Sequence, residues 1–133
     1  MQYRIAILGS GSWATALAKI VLTNQTEINW FIRRQEAIDE FVATGKNPSY
    51  LGMAEFDVSR IHFSTDINKV VSQSDVLILA IPSPYVKQSL NKIRRNMTRK
   101  IVISAVKGMI PDDNMLVTDY LHTRFRIPTE QLG

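Results

Sequence analysis

Two glycines and a small residue at fixed spacing, Gly9-x-Gly11-x-x-Ala14, offer the clearest chemistry in this chain. A short apolar run, Ile5-Ala6-Ile7-Leu8, leads into them, and a stretch rich in alanine and leucine follows. Strand, tight turn and helix in that order make a cradle for a pyrophosphate. Gly9 allows the sharp turn off the strand, and Gly11, without a Cβ, lets phosphates approach the backbone. Ser10 lies between them, and Ala14 is small enough for the helix to pack tightly on the strand. A helix starting near Ser12 aims its unpaired N–H groups and positive dipole end at the phosphates. Ordinary strand-turn-helix units also meet this spacing. Its place behind one strand and at the head of a helix points to a dinucleotide site.

Cations extend the constellation. Where NAD-binding chains carry an Asp or Glu after the second strand, to accept from the ribose hydroxyls, this chain has Arg33 and Arg34. A guanidinium suits a 2′-phosphate, which a carboxylate repels, so the pair favours NADP, with NAD as the alternative. Lys107 closes a later apolar strand, where it either meets a cofactor ribose or an anionic substrate or is an ordinary surface lysine. Tyr50 is placed either to close over the cofactor or to pack beneath its own loop. Trp13 either flanks the pyrophosphate or plugs the domain edge. Ser12, Ser83 and Ser104 have no histidine at recognisable spacing, and no G-K-[ST] follows the glycine turn. The chain thus offers a cofactor cradle without an acid–base pair.

Composition narrows the remaining classes. There is no cysteine, and His62 and His122 stand far apart, so neither a disulfide nor a metal site is expected. The net charge of +4 permits nucleic-acid binding, but the basic residues are scattered. Their one loose group, Lys92, Arg94, Arg95, Arg99 and Lys100, reads as a solvated helix face and loop. An anionic small molecule fits the charge equally well. No apolar run reaches membrane-spanning length and no signal peptide is evident, so a cytoplasmic location without membrane insertion is expected.

The elements that must position these residues alternate along the chain. Strands are expected at 5–8, 28–32, 60–65, 76–81 and 101–106. The run at 76–81 is apolar without alternation, as in a central strand covered on both faces. Helices are expected from Ser12 to about Leu22, over 35–42, after a cap among Ser64, Thr65 and Asp66, and over 85–93. A last helix, capped by Pro111-Asp112-Asp113, carries Met115, Leu116, Tyr120 and Leu121. Residues 44–59 form a long loop. This is an α/β, doubly wound parallel sheet of the Rossmann-like kind, ordered 3-2-1-4-5. Its crevice should gather Gly9 to Trp13, Arg33 and Arg34, Pro82 and Ser83, and Lys107.

Taken together, these residues resemble the bacterial-type NAD(P)-dependent glycerol-3-phosphate dehydrogenases. The resemblance rests on the glycine turn through Ala18, the Trp30-to-Arg33 strand end, Asn47-Pro48-x-Tyr50-Leu51, and Asp66-Ile67. It continues through Asp75 to Ala80-Ile81-Pro82-Ser83 and Ser104-Ala105-Val106-Lys107-Gly108. It implies interconversion of sn-glycerol 3-phosphate and dihydroxyacetone phosphate for glycerophospholipid synthesis. It also implies that Ser12, Trp13, Arg33 and Lys107 hold the cofactor, that Lys107 meets the phosphorylated substrate, and that Arg34 and Tyr50 contribute more weakly. The family's helical second domain, with its catalytic lysine and a possible homodimer interface, is absent here. Residues 1–133 therefore read as the cofactor domain of a longer two-domain enzyme, inactive alone and without catalytic residues of its own. Two alternatives share the fold: the cofactor domain of a ketopantoate reductase or hydroxyacid dehydrogenase, and a non-catalytic NADP-sensing module.

Overall fold

A computed structural model describes residues 3–48, 55–106, 109–110 (backbone only) and 115–133. Five short strands, β1 (Ile5–Leu8), β2 (Ile28–Phe31), β3 (Ile61–Ser64), β4 (Val76–Leu79) and β5 (Ile101–Ser104), form one parallel sheet. Their order is β3-β2-β1-β4-β5, as the strand–helix alternation predicts. The helices between them are α1 (Ser12–Val21), α2 (Gln35–Thr44), α3 (Ile67–Ser72) and α4 (Ser83–Leu90), followed by α5 (Val117–Phe125).

Strand periodicity sorts the core into two layers. Ile7, Ile28, Trp30 and Ile78 point to one face, where Ala14 and Ala18 of α1 and Ile38 and Phe41 of α2 cover them. Ala6, Leu8, Phe31, Leu77 and Leu79 point to the other, beneath Val70 of α3, Val86 and Leu90 of α4 and Leu121 of α5. Burial on both faces explains why β4 reads as a continuous apolar run. Trp30 anchors the first layer, with Phe41 edge-on at 5.3 Å, Phe56 at 5.6 Å and Phe63 stacked at 5.8 Å. These rings tie β2, β3, α2 and the segment after α2 into one apolar unit.

Local chemistry sets the element ends. The Asp66 carboxylate accepts from the backbone N–H groups of Asn68 and Lys69, so Asp66 caps α3. Gly45 ends α2 in the left-handed region (φ 73°), its N–H donating to the Phe41 carbonyl. Arg4 and Asp75 join the starts of β1 and β4: the Arg4 backbone N–H donates to the Asp75 carboxylate at 2.8 Å, and the two side chains form an ion pair of 3.3 Å. The Arg4 side chain and backbone N–H hold the Asp75 carboxyl below its ordinary pKa. Lys100 departs from the expected solvated group: its half-buried ammonium donates to the Ser74 carbonyl at 2.6 Å. Burial lowers its pKa, against the upward pull of Asp75.

The last helix also differs from expectation. Met115 and Leu116 form β7 (Met115–Leu116), antiparallel to β6 (Met109–Ile110), and α5 begins only at Val117. The expected cap, Pro111 to Asp113, lies outside the described residues. Helix α4 starts two residues earlier than periodicity suggests, with Pro84 in its first turn, where its missing N–H costs no helical bond. At the far edge, Gly133 donates to the Val102 carbonyl at 2.9 Å and accepts from the Ser104 N–H at 2.8 Å. The chain thus runs along the open side of β5. Among the described residues no helix is long and apolar enough to cross a membrane.

Candidate functional site

The strand order reverses between β1 and β4, and the turn at Gly9 to Gly11 leaves β1 at that point. Gly9 has φ 126°, a conformation that side chains with a Cβ rarely adopt. Its N–H donates to the Phe31 carbonyl at 3.2 Å. Its carbonyl accepts from the buried Trp30 indole N–H at 2.6 Å. The turn is therefore bolted to β2 from both sides of one residue.

A second set of bonds fixes the next two carbonyls. Asn47, only 3% exposed, donates to the Ser10 carbonyl at 2.8 Å and to Thr15 Oγ1 at 2.7 Å. Thr15 Oγ1 in turn donates to the Gly11 carbonyl at 2.8 Å. These carbonyls are held toward the protein, and α1 opens beyond them with no side-chain cap and no acidic residue in its first turn. Its leading N–H groups are thus left for an outside acceptor. A Cβ built on Gly11 meets nothing within 4 Å, so the space over the turn is open.

The crevice has two lobes that share Gly11, Ile81 and Pro82. One, of about 230 Å³, lies toward β2 and contains Gly9, Ser10 and Arg33, faced by Tyr85, Gln88, Ser89 and Lys92 of the α4 region. The other, of about 360 Å³, lies toward β5 and contains Ser12, Trp13, Ser83, Ala105 and Val106. Trp13 is 54% exposed at its mouth and does not plug the core. Among the described residues no carboxylate and no histidine lines either lobe. An uncapped helix start, open space over a glycine and, among the described residues, Arg33 and Lys92 with no anion in the lobe beside β2 fit a dinucleotide whose pyrophosphate spans the two lobes.

A third cleft, of about 440 Å³, opens at the amino ends of the strands between Tyr3, Glu27 and His62. It is larger, but His62 and Glu27 already face each other there at 3.2 Å and no glycine turn adjoins it. The carboxyl-end crevice, where the phosphate-binding geometry converges, is the candidate site.

The structure brings Gly9, Ser10, Gly11, Ser12, Trp13, Arg33, Pro82 and Ser83 together as expected. Arg34 departs from the expected gathering. It is the exposed N-cap residue of α2 and is not among the residues lining either lobe. Tyr50 and Lys107 lie outside the described residues. Sequence reasoning missed Asn47, which reads as a turn former in an Asn-Pro dipeptide. It also missed the stripe Tyr85, Gln88, Ser89 and Lys92, whose i, i+3, i+4, i+7 spacing was there to be found.

The Asn47 clamp has a measurable consequence. Asn47→Asp is nearly isosteric but places a carboxylate against the Ser10 carbonyl and removes both donated bonds. Leaving buried acceptors unpaired costs about 1–3 kcal/mol, more for a charged group. The variant should melt lower than Asn47→Ala at neutral pH and recover part of the difference on acidification, as the carboxyl protonates. Thermal melts of both variants across pH check this; equal melting temperatures at neutral pH would remove the clamp.

Comparison with known proteins agrees with this geometry. Residues 4–133 match the family model of the NAD-dependent glycerol-3-phosphate dehydrogenase N-terminus. The chain is 28% identical over 129 residues to the glycerol-3-phosphate dehydrogenase [NAD(P)+] of Bacillus pumilus, covering 96% of this chain and 36% of the relative. It is 30% identical over 119 residues to the Bacillus subtilis enzyme of the same name, covering 89% and 34%. The solved glycerol-3-phosphate dehydrogenase of Plasmodium falciparum superposes with a TM-score of 0.80 at 29% identity, over 95% of this chain and 39% of that one. The chain thus spans about a third of the length of the curated relatives it matches.

Proposed function

Because the chain belongs to the NAD-dependent glycerol-3-phosphate dehydrogenase N-terminal family, we propose that it is the dinucleotide-binding part of an enzyme interconverting sn-glycerol 3-phosphate and dihydroxyacetone phosphate. NADP is the cofactor in this reading and NAD the alternative. The observation that carries it is the uncapped start of α1 beneath open space at Gly11, where the strand order reverses.

Each residue then has a task. The N–H groups at the start of α1, around Ser12 and Trp13, receive the pyrophosphate, and Ser10 and Gly11 line its path. Arg33, in the lobe beside β2, meets the adenosine ribose or its 2′-phosphate. Trp13, Ser83 and Ala105 wall the lobe beside β5, where the nicotinamide end belongs. The nicotinamide ring, when bound, supplies hydride transfer. Lys107, beyond β5, is proposed to approach both cofactor and substrate, and Tyr50 to border the cofactor; both roles rest on the family resemblance. Arg34 contributes at most long-range charge.

Among the described residues neither lobe has a carboxylate or histidine to move a proton. On the family resemblance, catalytic acid–base chemistry is assigned to a second, helical domain, which would also supply a homodimer interface in a cytoplasmic enzyme. The 133-residue chain should accordingly bind NADPH and NADH yet give no turnover with dihydroxyacetone phosphate. Turnover near ordinary enzyme rates, roughly ten per second, would refute the division of labour. NADPH should bind more tightly than NADH, and Arg33→Asp should abolish that preference. A charge-assisted hydrogen bond is worth about 1.5–3 kcal/mol, and exposure of Arg33 brings the effect toward about one decade. Titration by tryptophan fluorescence reads this, because Trp13 is exposed beside the site.

A further inference from the structure

We propose that Lys92 is the second cation of the lobe beside β2 and, with Arg33, sets the preference for a dinucleotide bearing a 2′-phosphate. The inference rests on the dinucleotide reading above and concerns which residues discriminate between its two forms. Sequence position suggests Arg33 and Arg34, but the fold separates them and puts Lys92 into the lobe with Arg33.

The root of Lys92 is held from outside the helix. Its N–H donates to the Ser89 carbonyl at 3.2 Å, and its carbonyl accepts from the Asn68 amide at 2.9 Å. The other end of the Asn68 amide accepts from the Arg94 N–H at 2.6 Å. One side chain of α3 thus spans the turn that ends α4 and fixes the point from which the lysine reaches. Arg33 enters the same lobe from the end of β2, nearly sixty residues away in sequence. Among the described residues no carboxylate lines that lobe to pair with either cation.

A lobe of about 230 Å³ whose described lining holds two cations and no anion favours a ligand that brings a charge of its own. A ribose hydroxyl gains little from a second ammonium, whereas a dianionic phosphate gains from each cation. Gln88 and Ser89, from the same face of α4, add neutral polar groups that either ribose form can use. The flexible lysine stem lets the ammonium follow the phosphate, while the planar Arg33 fork supplies directional bonds. Both cations are exposed, so the contribution of Lys92 should be moderate and should shrink with added salt.

The test is a set of dissociation constants for NADPH and NADH on the full chain and on Lys92→Gln, Lys92→Arg and Arg34→Gln, at low and high salt. Thermal melts of each variant exclude unfolding, because Lys92 and Arg34 are both exposed. Lys92→Gln should weaken NADPH about five- to tenfold at low salt and NADH less than about twofold. Lys92→Arg should retain the preference, and Arg34→Gln should leave both cofactors nearly unchanged. An equal change for both cofactors on Lys92→Gln, no change for either, or a preference lost on Arg34→Gln overturns the proposal. If the unmodified chain binds neither cofactor, the dinucleotide reading fails and this proposal falls with it. That result is distinct from intact binding to which Lys92 is indifferent.

Discussion

Gly11→Val leaves the chain folded and removes its capacity to hold a nicotinamide dinucleotide. The two halves of this expected result have separate physical origins. Gly11 has an ordinary φ of −80°, and a Cβ built on it meets no atom within 4 Å. The protein therefore accommodates the new side chain, at a cost of about 1 kcal/mol for valine as a helix N-cap residue. The open space that makes the substitution tolerable is where a pyrophosphate must lie to reach the start of α1. Displacing it forfeits at least two hydrogen bonds to a charged group, about 1.5–3 kcal/mol each. The affinity loss is then roughly two to four decades. Fluorescence titration with NADPH, beside a thermal melt of the same sample, measures both halves. Unimpaired binding would mean that the phosphates lie elsewhere and would end the proposed function in its present form.

Gly9→Ala, two residues away, should do the reverse and strike the fold first. Gly9 sits at φ 126°, and its added Cβ would stand 2.5 Å from the Ala80 carbonyl oxygen and 2.8 Å from the carbonyl carbon. Both are backbone atoms of the chain leaving β4, and the Ala80 N–H donates to the Leu8 carbonyl at 2.9 Å. No side chain can rotate away, so β1 and β4 must part or shift. Backbone strain of about 1–3 kcal/mol and overpacking of about 1–3 kcal/mol act together. A smaller unfolded-state entropy returns about 0.4–1 kcal/mol. The net loss, roughly 2–5 kcal/mol, is a large share of the 5–15 kcal/mol typical of a domain. For a chain of this length the melting temperature should fall by about 8–20 °C. Gly11→Ala is the control and should melt within a few degrees of the parent. A Gly9→Ala variant as stable as that control would show that β1 and β4 are less closely joined at this turn than the structure has them.

The contrast between these two glycines shows what could be read along the chain. The motif spacing identifies both as turn residues, because a strand, a glycine pair and a helix are local patterns. Which glycine faces protein and which faces open space depends on Ala80, some seventy residues away. Strand order follows from the alternation of strands and helices, since parallel neighbours need right-handed crossovers and few topologies remain. The late start of α5 could not be read in that way. Met115 and Leu116 fit a helical face, but in the fold they pair with Met109 and Ile110, and pairing is not a property of one segment.

The site divides along the same line. Sequence alone determined the alternating α/β layout, the glycine turn, the cation after β2 and the absence of cysteine chemistry. These follow from periodicity, backbone freedom and residue type, which act within a few positions of one another. Only the tertiary structure decided that Asn47 clamps the turn, that Trp30 holds Gly9, and that Lys92 rather than Arg34 shares a lobe with Arg33. Each is a meeting of side chains from separate elements. Burial of the two apolar layers sets how those elements pack, and the polar groups at the strand ends are carried wherever that packing places them.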